Sequence, residues 1–271
     1  MYPEREAREM VFAFLEHHIG TKRHTHLVEP EYVVSDEAAS DALTAFGRMA
    51  TGEPLQYITG VADFYGRQFH VTPDVLIPRP ETEILCRNVL ESVSDGTALD
   101  LCTGSGCIAW TLALEMPGAK VTAVDISDGA LEIASSQDFS EEIGRTGAVA
   151  PEFIKADVLA GPSESGLSGQ FDILVSNPPY VMDKEKALMR SNVLDHEPHL
   201  ALFVPDDDPL IFYHAVARWA LALLKKDGYG IVEINEALGP QTADIFSSAG
   251  LRNVEIVRDL SDRDRFVSFR R

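Results

Sequence analysis

The chain reads as a doubly wound α/β protein with a mostly parallel sheet of seven strands, preceded by a small helical module. Three observations predict this. From Thr97 onward, short apolar runs alternate with helical stretches, the pattern of parallel strands joined by crossover helices. A glycine-rich loop stands between the first of those strands and its helix, where α/β sheets bind ligands. Residues 3–50 instead carry helical periodicity.

Taken in order, Pro3 suits a first helical position, and Ala7, Met10, Val11, Phe14 and Leu15 recur at helical spacing before Gly20 closes the helix. Ser35 caps a second helix whose apolar face is Ala38, Ala39, Ala42, Leu43, Phe46 and Met49. His17, His18, His24 and His26 between them read as surface residues; no carboxylate or cysteine completes a metal set, so no metal is expected. Phe64-Tyr65 and Gln68 to Val71 flank Gly66-Arg67 as a hairpin. Pro80 and Glu81 then open a helix running through Val89 and Leu90. Strands follow at Ala98–Leu101, Lys120–Val124, Phe153-Ile154, Phe171–Val175 and Tyr229–Ile234. Asn253–Val257 and Arg265–Phe269 make a closing antiparallel pair. A helix spans Ile108 to Glu115, and residues 161–169 form a flexible loop. The expected division is 1–60 helical, 61–83 a hairpin connector, and 84–271 the α/β domain.

Composition bounds the function. With 271 residues, 45% of them hydrophobic, a large core is within reach. Lys plus Arg is 23 against 43 Asp plus Glu, a net charge of −20 that repels nucleic-acid backbones and favours neutral or basic partners. The sequence has no apolar run of transmembrane length, and its charged N-terminus lacks a signal-peptide core. Cys86, Cys102 and Cys107 are odd in number and lack zinc-ligand spacing. A reduced, cytoplasmic protein is expected.

The chemistry concentrates in two loops. Asp100-Leu101-Cys102-Thr103-Gly104-Ser105-Gly106-Cys107 follows the first strand, and its glycines let a ligand approach the backbone. Asp125 ends the next strand, where a carboxylate can accept the hydroxyl protons of a ribose. A nucleoside cofactor is the expectation. The loop lacks the lysine of a P-loop, but Gly104 to Ala109 fits the loose dinucleotide pattern. Asp100 points the other way, since an acid there opposes a pyrophosphate and suits a cationic amino-acid end. Asp157, after the third strand, is placed to contact an adenine amino group. The second loop is Asn177-Pro178-Pro179-Tyr180. Two prolines cannot continue a strand, so the chain leaves the sheet at Asn177 in a stiff shape. An ordinary strand-ending turn is the plainer reading of those four residues alone.

Together these residues resemble the class I S-adenosylmethionine-dependent methyltransferases that act on planar nitrogens. Gly52 to Gly60, Phe64-Tyr65-Gly66, Ile77 to Glu83 and Asp259 to Arg265 are similar to segments of the release-factor glutamine N5-methyltransferases, the HemK/PrmC family. Cys102 stands where that family usually has glycine, and Val204 to Asp208 replaces a more usual glycine-rich stretch. The resemblance implies a Rossmann-like methyltransferase sheet, S-adenosyl-L-methionine as cofactor, and class I peptide chain release factors as protein substrates of a monomeric enzyme. It implies catalytic Asn177, Pro178, Pro179 and Tyr180. The Asn177 oxygen and the Pro178 carbonyl would accept the amide protons, and Tyr180 would pack on the planar amide. The implied cofactor set is Asp100, Cys102, Thr103, Gly104, Ser105, Gly106, Asp125, Ile126, Asp157, Val158 and Asn177. Arg79, Glu81 and Glu197 are the substrate-side candidates. A nucleic-acid amino-methyltransferase is the nearest rival, disfavoured by the charge and by the lack of a basic, aromatic-rich stretch. A non-catalytic partner of the translation apparatus would not require Asn177 to Tyr180, and no dehydrogenase Tyr-x-x-x-Lys set is present.

Overall fold

The computed structural model describes residues 2–271, apart from the His26 side chain. Helices α1 (Glu4–Phe14), α2 (Thr25–Val28), α3 (Asp36–Ala50) and α4 (Leu55–Thr59) come first. Pro3 caps α1 rather than opening it: its carbonyl accepts from Ala7 N at 2.9 Å. A wider π turn over Leu15–Ile19 extends the helix to Gly20, which ends it at φ 75°. Ser35 caps α3 by accepting from Ala38 N at 3.2 Å. Phe14, Ala42, Ala45 and Met49 form a core of their own. Leu43, expected on that face, is 72% exposed, and Ala45 takes its place. The buried stripe runs 42, 45, 49 in steps of three and four, which leaves residue 43 about 100° round the helix.

Tyr57 of α4 leaves that core. It packs with Val71, Val75, Ile77, Ala130 and Ile133, and its hydroxyl donates to the Val75 carbonyl at 2.6 Å. The hairpin pairs β1 (Val61–Phe64) with β2 (Arg67–His70). Its turn is Tyr65-Gly66, one residue earlier than expected. Both lie at positive φ, 50° and 74°, as the twist of a two-residue hairpin turn demands. Helix α5 (Thr82–Ser92) begins after Glu81, whose backbone forms the cap.

The main sheet holds β3 (Thr97–Leu101), β4 (Lys120–Asp125), β5 (Glu152–Lys155) and β6 (Phe171–Ser176). A short parallel pair, β7 (Val181–Met182) with β8 (Phe203–Val204), lies apart. β9 (Leu224–Glu233), β10 (Arg252–Arg258) and β11 (Asp264–Arg270) complete it. β9 starts five residues before the expected Tyr229. The order is β10-β11-β9-β6-β3-β4-β5, parallel except where β11 meets β9 and β10. The connecting helices are α6 (Cys107–Glu115), α7 (Asp128–Ser136), α8 (Ser140–Thr146), α9 (Ser191–Leu194), α10 (His199–Leu202), α11 (Ile211–Leu223) and α12 (Gly239–Ser248).

Strand alternation sets the two layers. Ala98 and Ile173 face a core with Leu85, Leu112 and Trp110 of α5 and α6. Leu99, Leu101 and Leu174 face the other, with Trp219 of α11 and Phe246 of α12. Helix α6 is buried from Cys107 to Leu114, which accounts for its nearly uniform apolar sequence. Among the described residues no helix is long and apolar enough to cross a membrane.

Candidate active site

β3 and β6 lie side by side at the centre of the sheet, with β4 and β9 outside them, so the order reverses between these two strands. A ligand crevice belongs beyond their carboxyl ends. Register fixes what meets there. Leu101 pairs with Ser176, and the Ser176 hydroxyl donates to the Leu101 carbonyl at 2.7 Å. Cys102 and Asn177 therefore leave the sheet as neighbours. A cavity of about 310 Å³ opens over them, large enough for a nucleoside-sized ligand.

The glycine loop forms one wall. Thr103 N donates to the Val124 carbonyl at 3.0 Å and Gly104 N to Asp125 Oδ2 at 2.9 Å. Asp125 Oδ1 accepts from Ser127 N at 3.0 Å. One carboxylate thus pins the loops after β3 and β4, and each oxygen keeps acceptor capacity for a hydroxyl. Gly104, at φ 56°, has open space where a Cβ would stand. Gly106 serves packing instead: a Cβ there would lie 3.0 Å from Ala134 Cβ and 3.1 Å from Trp110. Cys102 takes the left-handed conformation at φ 62°, which glycine adopts freely. Burial pushes its thiol well up and that of Cys107 to about 12, so both stay protonated and pack.

Asp100 lies beneath this wall, not on it. It is fully buried, its Oδ2 accepts from Thr103 Oγ1 at 2.6 Å, and its Oδ1 has no partner among the described residues. Burial first, then the charge of Asp125, raises its carboxyl to about 7 against the Thr103 hydrogen bond.

The opposite wall carries Asn177 and Pro179. Asn177 Nδ2 donates to Thr82 Oγ1 at 3.3 Å, and Thr82 donates to Glu233 Oε2 at 2.7 Å. Tyr180 turns away from the cavity into the core around α11, and its hydroxyl donates to Glu233 Oε1 at 3.0 Å. The stacking face expected of Tyr180 is not on the cavity wall, and Pro178 is buried behind it.

Residues 73–79 close the side of the cavity. Arg79 lines it and donates to Glu197 Oε1 at 2.6 Å, while Glu197 Oε2 accepts from Ile77 N at 3.2 Å. Glu197, a substrate-side candidate, is instead 4% exposed and fastens the 73–79 segment from behind. Glu81 is exposed at the start of α5, outside the wall.

Of the expected site residues, the cavity brings together Arg79, Cys102, Thr103, Gly104, Ser105, Asp125, Ile126, Asp157, Val158, Asn177 and Pro179. Asp100, Gly106, Pro178, Tyr180, Glu81 and Glu197 stand off it. Asp157 also accepts from Leu159 N at 2.8 Å, which fixes its turn. Ser127, Leu200 and Phe212 line the cavity unannounced by any local motif, as does the 73–76 run; Thr82 lines it too, within the Ile77–Glu83 segment but with no role expected of it. Its charged lining is Asp74, Asp125 and Asp157 against Arg79, which is itself paired. Such a cavity favours a cationic nucleoside over a pyrophosphate.

Fold and site define a Rossmann-like methyltransferase. A solved methyltransferase from Pyrococcus furiosus shares the fold, with a TM-score of 0.52 at 16% identity over 87% of this chain and 98% of that one. The methyltransferase small domain matches residues 80–199 and the PrmC N-terminal domain residues 3–60. The release factor glutamine methyltransferase of Bacteroides thetaiotaomicron is 44% identical over 225 residues, 83% of this chain and 78% of that one. That of Flavobacterium psychrophilum is 35% identical over 273 residues, 98% and 93% of the two chains. The chain belongs to the release factor glutamine methyltransferase family.

Proposed function

We propose that the protein methylates the side-chain amide nitrogen (N5) of the glutamine in the Gly-Gly-Gln motif of class I peptide chain release factors. One observation carries this reading. Asn177 lines the cavity with its amide nitrogen taken by Thr82, which leaves the oxygen to accept from a planar NH₂ group.

The cavity residues fit S-adenosylmethionine. Asp125 would take the ribose hydroxyls, Asp157 the adenine amino group, and Ile126 and Val158 the faces of the ring. Gly104 lets the chain approach closely. The buried Asp100, with its partnerless oxygen, supplies negative potential below the amino-acid end. The cofactor brings an electrophilic methyl group on a sulfonium, an excellent leaving group.

An amide nitrogen is a weak nucleophile because its lone pair is delocalised. Asn177 Oδ1 accepts one N–H of the acceptor. Thr82 and the two prolines that follow Asn177 hold it in place, so little reorganises as charge builds on nitrogen, and the nitrogen sheds its proton after the methyl group arrives; Pro178, off the cavity wall, stiffens the loop rather than touching the acceptor. Alignment of the two reactants supplies up to about 7–11 kcal/mol in favourable cases. Arg79 and the 73–79 segment shield the reacting pair from water.

In this reading the helices of residues 1–60 grip the protein substrate, with 61–83 as connector and 84–271 as the catalytic domain. The separate core of Phe14, Ala42, Ala45 and Met49 supports a helical unit of its own up to α3, while Tyr57 of α4 packs with residues beyond 60. The enzyme acts as a cytoplasmic monomer without nucleic-acid contact, in keeping with the −20 charge. The test is incubation with labelled S-adenosylmethionine and, separately, a class I release factor, its Gln→Ala variant in Gly-Gly-Gln, and total tRNA or DNA. Label confined to the intact release factor is expected. Label on nucleic acid, or none, overturns the reading.

A further inference from the structure

The Asn177 amide has two ends of similar shape, and only one of them suits an NH₂ acceptor. What decides which end faces the cavity lies behind it. Glu233 ends β9, next to β6 in the sheet, where Val232 pairs with Ser176. Its carboxylate is 1% exposed and accepts two hydroxyls, Thr82 Oγ1 on Oε2 at 2.7 Å and Tyr180 on Oε1 at 3.0 Å. Burial raises the Glu233 carboxyl above its ordinary value; the Thr82 and Tyr180 hydrogen bonds, and then Arg265, itself held by Asp259 at 3.2 Å, oppose that shift and favour the ionised carboxylate. An ionised carboxylate only accepts, so each hydroxyl spends its single proton on Glu233. Thr82 Oγ1 is left with lone pairs alone. Of the two ends of the Asn177 amide, only the NH₂ can then meet it, and it does so at 3.3 Å. Reversing the amide would set oxygen against oxygen in a buried pocket, the kind of unpaired contact that interiors avoid.

We propose that Thr82 and Glu233 are positioning residues for methyl transfer, a one-way chain of hydrogen bonds that keeps the Asn177 oxygen facing the acceptor amide. Tyr180 belongs to the same device: it braces Glu233 from the far side. The proposal rests on the methylation reading above, and it deepens that reading by assigning the residues that orient its central acceptor.

The test uses the full-length protein and the Thr82→Val and Thr82→Ser variants. Valine keeps the shape and removes both donor and acceptor; serine restores both. Turnover on the release factor, KM for it, S-adenosylmethionine affinity by calorimetry and melting temperature are measured for each. Thr82→Val is expected to lower kcat on the order of 10- to 100-fold with cofactor affinity retained, and Thr82→Ser to recover most of it. A folded Thr82→Val enzyme with wild-type kcat overturns the proposal, as does Thr82→Ser matching valine's loss. Should valine prevent folding, Glu233→Asp is the second variant; it keeps the charge but draws it back by one methylene, and the same fall in kcat is expected. A readout independent of the acceptor separates this proposal from the function it rests on. The side-chain NH₂ signals of ¹⁵N-labelled Asn177, with no acceptor present, are expected to shift in Thr82→Val and hold in Thr82→Ser. Unchanged signals in Thr82→Val overturn the positioning role even if the release factor is methylated. Shifted signals with no methylation of the release factor support the positioning role and overturn the acceptor.

Discussion

Asp100 carries the strongest pH signature tied to the site. Its carboxyl, ordinarily near 3.8, is raised to about 7 in the fold, so between those values the folded protein holds a proton that the unfolded chain releases. Stability therefore falls as pH rises across that window and levels off above it. Thermal melts from pH 4 to 8 are expected to show this fall in the wild type and a flatter profile in Asp100→Asn; parallel profiles would remove Asp100 as the cause. The same titration acts on the cofactor with opposite sign. An ionised Asp100 attracts a cation, so S-adenosylmethionine affinity is expected to rise as pH passes about 7, and calorimetry on either side reads it. Asn177 gives a separate prediction. Removing its side chain by Asn177→Ala should cost at least about 10²-fold in turnover, as the loss of one preorganised hydrogen-bonding group does. Cofactor affinity should persist, because the rest of the cavity wall is untouched. Near-normal turnover in that variant would contradict the mechanism.

Between elements, two close approaches decide what the sheet tolerates. Gly230 of β9 pairs with Phe269 of β11, whose ring lies over it and stacks on Phe246 with centroids 4.4 Å apart. A Cβ on Gly230 would stand 2.1 Å from that ring. Gly230→Ala is expected to destabilise by at least about 1–3 kcal/mol, read as a lower urea midpoint at unchanged slope. Gly106→Ala should likewise lose stability, from its positive φ and its contact with Ala134. These cases show where sequence reading stops. The Ser35 cap, the glycine loop and the strand ends at Asp125 and Asn177 were legible because their cues lie within a few residues of one another. Thr82 was not: it is 95 residues from Asn177 and 151 from Glu233, and only the β6–β9 register and the seating of α5 join them. Tyr180 was misplaced for the same reason, since its neighbours come from β9 and α11. Leu43 went wrong by one step of the helical wheel, which periodicity alone does not resolve for a stripe rich in alanine.

At the scale of the whole molecule, charge and connection matter more than any single contact. The net charge of −20 attracts basic surfaces and repels acidic ones, so the salt dependence of kcat/KM for the proposed release-factor substrate reads the charge of the face it docks: a fall with added salt marks a basic face. Cofactor affinity should change less; equal losses in both would count against steering. Tyr57 joins the early helices to the α/β unit through Val75, a residue of the cavity wall, and through Ala130 and Ile133 of α7. The expected boundary at residue 60 thus cuts through a shared core, and the two halves are mechanically tied at the rim of the site. The strand order has a further consequence, for synthesis. β10 is made before β11, yet β11 lies between β10 and the rest of the sheet. Until residues 264–270 emerge from the ribosome, β10 has no partner and β9 presents a bare edge with Glu233 at its end. A premature stop before residue 264 would therefore yield not a slightly shortened enzyme but a sticky one, with an open edge that recruits other chains.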